Sequence, residues 1–190
     1  MAFDPLSAID YCWKLIALFW LAGMLFTKRT ERSGPLGNRV AQNLLALLGG
    51  LCIGGFIFPG TWMDAYFVPH TRAMELAGLA ATAIGCIFAG WARLTLGANW
   101  SGRAMVKSGH ELIVNGPYAL ARHPIYTGLL FALAGTVLAV GRWRGIVGFV
   151  IIVASLAVKM RQEERLMEQT FPHAYPAYRT RVKALIPGVL

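Results

Sequence analysis

The chain has 190 residues, of which 56% are hydrophobic and 14% are charged, and its net charge at neutral pH is +9. Soluble domains carry about 25% charged residues, so this composition excludes an ordinary soluble domain and indicates a protein that lives in a bilayer. Cys12, Cys52 and Cys86 fall in apolar runs without a Cys-x-x-Cys spacing. They therefore predict neither a disulfide framework nor a metal site.

Five apolar stretches are long enough to cross a membrane as helices, since about 20 helical residues span the hydrocarbon core. We predict spans at about 8–26, 41–58, 73–93, 124–140 and 143–160. Only Gly141 and Arg142 separate the last two spans, so these two form an antiparallel hairpin. The expected fold is an all-α integral membrane protein, a single domain over residues 1–190 built as a bundle of five transmembrane helices.

Most of the basic residues fall on one side of this predicted membrane. Fourteen of the eighteen lie between spans one and two, between spans three and four, or after span five. The positive-inside rule then places these segments, including residues 161–190, in the cytoplasm and the N-terminus outside. The positive charge is thereby explained by topology and by contact with membrane lipids, and no nucleic-acid partner is expected. The expected location is the inner membrane of a bacterium or archaeon.

One polar interruption of the apolar chain stands out, GPYALARHPIYTG at residues 116–128. Gly116-Pro117 is typical of a turn, and Pro124 is suited to the first turn of the fourth helix. Arg122 and His123 precede that helix directly. Free backbone N–H groups there, together with Arg122, are expected to attract an anionic group such as a carboxylate. The alternative interpretation is structural, with both side chains capping a transmembrane helix.

A second polar segment follows the fifth span, where KMRQEERLM has no helix breaker until Pro172, so the helix is expected to leave the membrane and continue. Glu163 and Glu164 are adjacent and point about 100° apart on a helix, so only one can face a shared pocket fully. A glutamate pair alone is also typical of a solvated helix face.

Together these segments resemble the isoprenylcysteine carboxyl methyltransferase family and the related phospholipid methyltransferases. The matching pieces are LGANWS, HELIVNGPYALARHPIYTG, EERLMEQTF, AYPAY and a final IP, over roughly residues 93–187. The chain departs from many relatives at Lys159, where they carry arginine. Either Lys159 or Arg161 is expected to replace it.

The resemblance implies an integral membrane enzyme that uses S-adenosylmethionine, with a cytoplasmic pocket formed by the loop between spans three and four and the C-terminal helical region. The acceptor would be a lipophilic molecule or lipid that enters from the bilayer. The catalytic residues that it implies are Glu163, Glu164 and Arg161. The cofactor-binding residues that it implies are His110, Leu112, Ile113, Gly116, Pro117, Tyr118, Arg122, His123, Pro124, Tyr126, Gly128, Glu163 and Glu164.

Several functions remain open at this stage. The leading interpretation is methyl transfer to the carboxylate of a prenylcysteine-like molecule, and the main alternative is N-methylation of a phospholipid amine. A similar C-terminal pattern occurs in NADPH-dependent membrane sterol reductases, which have more spans. A non-catalytic scaffold or transporter would require that the polar loops merely bind headgroups.

Overall fold

A computed structural model describes residues 3–24, 30–33, 36–97, 105–107, 112–186 and 188. The described chain is predominantly helical, as predicted. Its α-helices, in chain order, are α1 (Pro5–Met24), α2 (Leu36–Gly54), α3 (Arg72–Leu96), α4 (Pro124–Val140), α5 (Trp143–Thr170) and α6 (Ala174–Arg181). Two short strands that the sequence did not predict, β1 (Thr30–Ser33) and β2 (Met105–Lys107), pair antiparallel.

Three of the described helices are long and apolar enough to cross a membrane, namely Pro5–Gly23 of α1, α3 and α5. Two shorter apolar helices, Val40–Gly54 and Pro124–Val140, accompany them. The structure thus supports an integral membrane protein, and the five-span arrangement remains a prediction.

One predicted helix end differs from the structure, and two other predicted helix boundaries agree with it. The second helix ends at Gly54 rather than near residue 58, because Gly55 and Phe58 have positive φ angles of 82° and 67° that an α-helix excludes. The fourth helix begins at Pro124, as its proline predicts. The fifth helix runs 28 residues to Thr170 and so continues well beyond the predicted span end, as expected.

Close helix contacts depend on small residues, as is typical in lipid. A Cβ atom added at Gly128 of α4 would lie 2.6 Å from the backbone nitrogen of Ala89 in α3. One added at Gly49 of α2 would lie 2.7 Å from the carbonyl oxygen of Gly148 in α5. These contacts place the start of α4 against α3 and bring α2 alongside α5.

Hydroxyl groups join α1, α3 and α4 in the interior. The indole N–H of Trp13 donates to Thr136 Oγ1 at 3.0 Å, and that oxygen lies 3.2 Å from Thr82 Oγ1. Thr82 is completely buried. In a bilayer such interhelical hydrogen bonds satisfy groups that would otherwise face hydrocarbon.

An ionic cluster lies at the connection between α4 and α5, where Arg142 and Arg144 contact Asp64. Asp64, in the connection between α2 and α3, accepts from Arg144 Nε at 2.7 Å and lies 3.0 Å from Arg142 Nη1. Arg144 Nη1 also donates to the carbonyl oxygen of Ile53 at 2.6 Å. One arginine therefore satisfies both the aspartate and a carbonyl group near the end of α2.

Candidate active site

The segment that follows α6 lies against the two residues that precede α4. The backbone N–H groups of Arg122 and His123 donate to the carbonyl oxygens of Lys183 and Ala184 at 2.8 and 2.9 Å. These two N–H groups, which lie just before α4, are therefore already paired. The predicted exposed N–H groups at the helix start itself belong to the residues that follow Pro124, and they stay a prediction. Two consecutive residues of the C-terminal segment thus pair through their backbone with two consecutive residues of this loop. The sequence pattern does not indicate this pairing, because it depends on the tertiary fold.

Arg122 and Glu164 form an ion pair with two hydrogen bonds. Arg122 donates to Oε1 of Glu164 through Nε at 2.9 Å and through Nη2 at 2.6 Å. Its third nitrogen, Nη1, donates to the carbonyl oxygen of Val182 at 2.5 Å. The two side chains are 9% and 15% exposed, so each compensates the charge of the other in a nearly dry setting. All three guanidinium nitrogens of Arg122 are engaged.

The second glutamate has different partners. Tyr126 donates its hydroxyl to Glu163 Oε1 at 2.7 Å, while Glu163 Oε2 lies 3.7 Å from His123 Nδ1, beyond a hydrogen bond. The other imidazole nitrogen, Nε2, lies 3.3 Å from Glu164 Oε1. The His123 ring therefore lies between the two carboxylates.

Two aromatic rings lie beside the carboxylates of Glu163 and Glu164. The rings of His123 and Tyr126 stack with centroids 5.6 Å apart and an angle of 18° between their planes. The ammonium of Lys159 lies 5.4 Å from the Tyr126 ring centroid. Arg122, His123, Tyr126, Glu163 and Glu164 are called the Glu163–Glu164 cluster below.

Buried tyrosines support the cluster from the α6 side. Tyr178 donates its hydroxyl to the carbonyl oxygen of Tyr118 at 2.5 Å. Burial raises the pKa of Tyr118 and of Tyr175, and it raises the pKa of Tyr178 to about 12. These phenols therefore remain neutral hydrogen-bonding groups at physiological pH.

The remaining predicted site residues do not form one group in the structure. Gly116, at a positive φ of 56°, and buried Pro117 begin a 3₁₀ turn, and partly buried Leu112 and Ile113 lie just before it. Gly128 packs against α3. His110 lies outside the described residues.

Two further predicted site residues are not members of the Glu163–Glu164 cluster. Tyr118 is 7% exposed and belongs to an apolar cluster with Ala92 and Ile125, so it is part of the core. Arg161 is exposed and makes no hydrogen bond or ion pair with the described part of the chain. The structure thus does not bring Arg161 into the Glu163–Glu164 cluster.

Sequence reasoning missed the backbone of residues 182–185 and the hydroxyl of Tyr178. The AYPAY motif contains Tyr178 and marked the right region, but no pattern indicated that its hydroxyl would reach the 3₁₀ turn. Every residue has a backbone carbonyl oxygen, so the sequence does not indicate which of these oxygens will accept a hydrogen bond at a site.

The cluster can bind charged and hydrogen-bonding groups. Arg122 neutralises Glu164, whereas Glu163 keeps Oε2 without a hydrogen-bond partner among the described residues. Such a carboxylate, beside two stacked rings, is suited to a cation or to hydroxyl groups. The described residues contain no group of three or more histidine, cysteine or acidic side chains that could hold a metal ion.

The fold resembles that of a solved membrane protein. The chain aligns with the structure of the eukaryotic intramembrane Ras methyltransferase ICMT (isoprenylcysteine carboxyl methyltransferase) with a TM-score of 0.54 and 23% sequence identity. The match covers 77% of this chain and 52% of that one. The likeness shows that the chain has a helical membrane-protein fold of this kind.

The sequence comparisons identify the family that the chain resembles. The model of the isoprenylcysteine carboxyl methyltransferase (ICMT) family matches residues 78–169, a little under half of the chain. This segment contains every residue of the Glu163–Glu164 cluster. The resemblance inferred from the motifs is thereby confirmed.

Two curated proteins are similar over a longer stretch. Protein-S-isoprenylcysteine O-methyltransferase B of Arabidopsis thaliana is 28% identical over 115 residues, 59% of this chain and 58% of its own length. Protein-S-isoprenylcysteine O-methyltransferase of Dictyostelium discoideum is 28% identical over 133 residues, 67% of this chain and 56% of its own. The chain spans just over half the length of each relative. Both are eukaryotic, and a bacterial or archaeal source for this chain remains a prediction.

Proposed function

We propose that the chain is an S-adenosylmethionine-dependent methyltransferase that methylates the carboxylate of a lipophilic, prenylcysteine-like acceptor at the cytoplasmic face of a membrane. The observation that carries this proposal is the Glu163–Glu164 cluster, whose members converge from positions about 40 residues apart within the family-matched segment. The proteins similar to this chain are named for O-methylation of isoprenylcysteine.

The described residues fit such a cofactor. S-adenosylmethionine supplies a methyl group on a positively charged sulfur, and it also carries an ammonium group and ribose hydroxyls. Glu163 is suited to these groups because its Oε2 is available to accept a hydrogen bond from a hydroxyl, and its negative charge complements the positive ammonium group. Leu112 and Ile113 offer apolar surface for the adenine.

Each member of the cluster has a part in this proposal. Tyr126 orients Glu163, and Arg122 holds Glu164 so that its charge is compensated. His123 lies between both carboxylates. The low exposure of these side chains keeps water from the reacting groups, and fixed positions reduce the entropy lost on reaching the transition state.

A carboxylate acceptor needs no general base. It is already ionised at neutral pH because its ordinary pKa is near 4, so the enzyme mainly aligns donor and acceptor. An amine acceptor would instead lose a proton during the reaction, for which Glu163 or His123 would be the nearest bases. The identity of the product therefore separates these two reactions.

The test uses purified protein, S-adenosylmethionine labelled in its methyl group, and a synthetic S-isoprenylcysteine with a free carboxylate. Mild base hydrolyses a methyl ester and releases labelled methanol, whereas an N-methyl group is stable. We expect base-labile label that depends on the acceptor. Label that is stable to base, or transferred only to phospholipid, would contradict carboxyl methylation.

A further inference from the structure

A polar stripe on α5 leads from the Glu163–Glu164 cluster into the apolar part of the helix. Ser155, Lys159, Gln162 and Glu163 all lie within about 100° of one helix face, given the helical periodicity. The helix between Trp143 and Val158 is otherwise almost entirely apolar. Lys159 lies between Gln162 and Glu163 on this face.

Helix α2 contributes to the stripe through Gln42. The side-chain Nε2 of Gln42 donates to Gln162 Oε1 at 2.9 Å, and the hydroxyl of Ser155 donates to the carbonyl oxygen of Gln42 at 3.2 Å. Both glutamine side chains are partly buried. This amide pair therefore lies at the contact of α2 with α5, and Gln162 is the residue next to Glu163 in the chain.

The amide pair has hydrogen-bonding capacity to spare. Two primary amides carry four N–H donors and two carbonyl acceptors, and their mutual bond uses one of each. Three N–H groups and one carbonyl thus remain, with no other hydrogen bond to the side-chain amides among the described residues. This balance does not depend on which amide acts as the donor.

Unpartnered amide N–H groups beside an apolar helix face are costly unless water or a ligand satisfies them. An excess of donors favours a partner with several acceptor oxygens. The nearby ammonium of Lys159, 5.4 Å from the Tyr126 ring centroid, adds positive potential to the same face. An oxygen-rich anionic head on an apolar body fits these groups.

We propose that the Gln42–Gln162 amide pair holds the polar head of the lipophilic acceptor, so that α2, which lies outside the family-matched segment, helps to select it. The inference rests on the proposed function. Gln42 and Gln162 act as acceptor-binding residues, and Ser155 positions Gln42 through its backbone. The acceptor's apolar body then lies along α2 and α5 in the bilayer, with its head directed toward Glu163.

The decisive variant is Gln162→Glu, because it keeps the oxygen that accepts from Gln42 while it removes two N–H donors and adds a negative charge. We expect it to raise the KM for S-isoprenylcysteine by at least about tenfold and to leave the Kd for S-adenosylhomocysteine unchanged. Gln42→Leu should raise the same KM by about three- to tenfold. Gln169→Leu, at an exposed glutamine on the same helix, is the matched control.

The outcomes separate this inference from the function on which it rests. If the parent methylates S-isoprenylcysteine and both amide variants have its KM, with or without a lower Tm, the amide pair is only a helix contact and the inference is wrong. If the parent neither methylates S-isoprenylcysteine nor gains thermal stability from it, the proposed function fails and takes the inference with it. If Gln162→Glu raises the KM for a zwitterionic phospholipid but not for S-isoprenylcysteine, the head is a lipid headgroup and the inference is overturned.

Discussion

Tyr126 donates its hydroxyl to Oε1 of Glu163 across 2.7 Å, and this bond joins the first turn of α4 to the cytoplasmic extension proposed for α5. The bond leaves Oε2 of the same carboxylate without a hydrogen-bond partner among the described residues. Tyr126 thus fixes the direction in which Glu163 offers its remaining oxygen.

Replacing Tyr126 by phenylalanine removes only the hydroxyl and keeps the ring that stacks on His123. We expect S-adenosylhomocysteine to bind about two- to tenfold more weakly, the effect of losing one orienting hydrogen bond. Titration calorimetry on solubilised protein measures this change. Tyr11→Phe, at a tyrosine 64% exposed on α1, is the control and should bind like the parent. If all three proteins bound S-adenosylhomocysteine with the same affinity, the Tyr126 hydroxyl would have no role in the cofactor site.

The Arg122–Glu164 pair predicts a large asymmetry between single and double variants. Arg122→Leu leaves a nearly buried carboxylate uncompensated and should cost about 3–5 kcal/mol of stability. Arg122→Leu combined with Glu164→Leu should recover most of that loss, because an apolar pair needs no compensation. Thermal unfolding in detergent measures both changes.

The same variants decide between a binding role and a structural role for Arg122. If the double variant binds S-adenosylhomocysteine as the parent does, the pair is architectural and Arg122 is not a cofactor-binding residue. Weaker binding by a stably folded double variant supports the proposed site.

The Asp64 cluster predicts a dependence of stability on acidic pH. The hydrogen bond from Arg144, together with the charges of both arginines, lowers the pKa of Asp64 below its ordinary 3.8. A carboxyl whose pKa is lower in the folded state contributes stability above its unfolded pKa, and this is lost as the pH falls through the folded value. The Tm of the parent should therefore fall more steeply below pH 4 than that of Asp64→Asn. Parallel curves for the two proteins would argue against the ion pairs.

Gly128 was predicted as a cofactor-binding residue, and its place against α3 predicts a different effect. Gly128→Ala puts a methyl group 2.6 Å from a backbone nitrogen, which should cost about 1–3 kcal/mol and lower the Tm. Gly50→Ala is the control, since a Cβ atom there has no neighbour within 4 Å. A loss of S-adenosylhomocysteine affinity without a lower Tm would instead restore the cofactor role.

The predicted orientation is tested by labelling single cysteines in a variant that lacks Cys12, Cys52 and Cys86. Thr61 and His173 are both exposed and are assigned to opposite sides of the membrane. A cysteine at Thr61 should react with an impermeant maleimide in intact cells, and one at His173 should react only after lysis. The reverse pattern would invert the predicted topology.

The sequence predicts the helices well wherever a local rule applies. Pro124 indicates where α4 begins, and the absence of a breaker before Pro172 predicts that α5 continues to about Thr170. Local rules also make Arg122 and His123 candidates, because they directly precede the proline that begins a helix. Glu163 and Glu164 became candidates only through the family resemblance.

The pairing within the site needed the structure. Glu163 and Glu164 are adjacent, and their sequence context is the same, so no local rule says which one Arg122 contacts from 42 residues away. The rotation of α5 against α4 decides this. The hydrogen bonds from the loop before α4 to residues 183 and 184 likewise depend on how α6 packs. The hydrophobic periodicity of the sequence does not describe that packing.

The most direct test of the account is titration of the detergent-solubilised parent and of Glu163→Gln with S-adenosylhomocysteine and with NADPH. We predict saturable binding of S-adenosylhomocysteine by the parent, binding about tenfold weaker or more by Glu163→Gln, and no binding of NADPH by either. Binding of NADPH in place of S-adenosylhomocysteine, or equal affinity of both proteins for S-adenosylhomocysteine, would contradict the account.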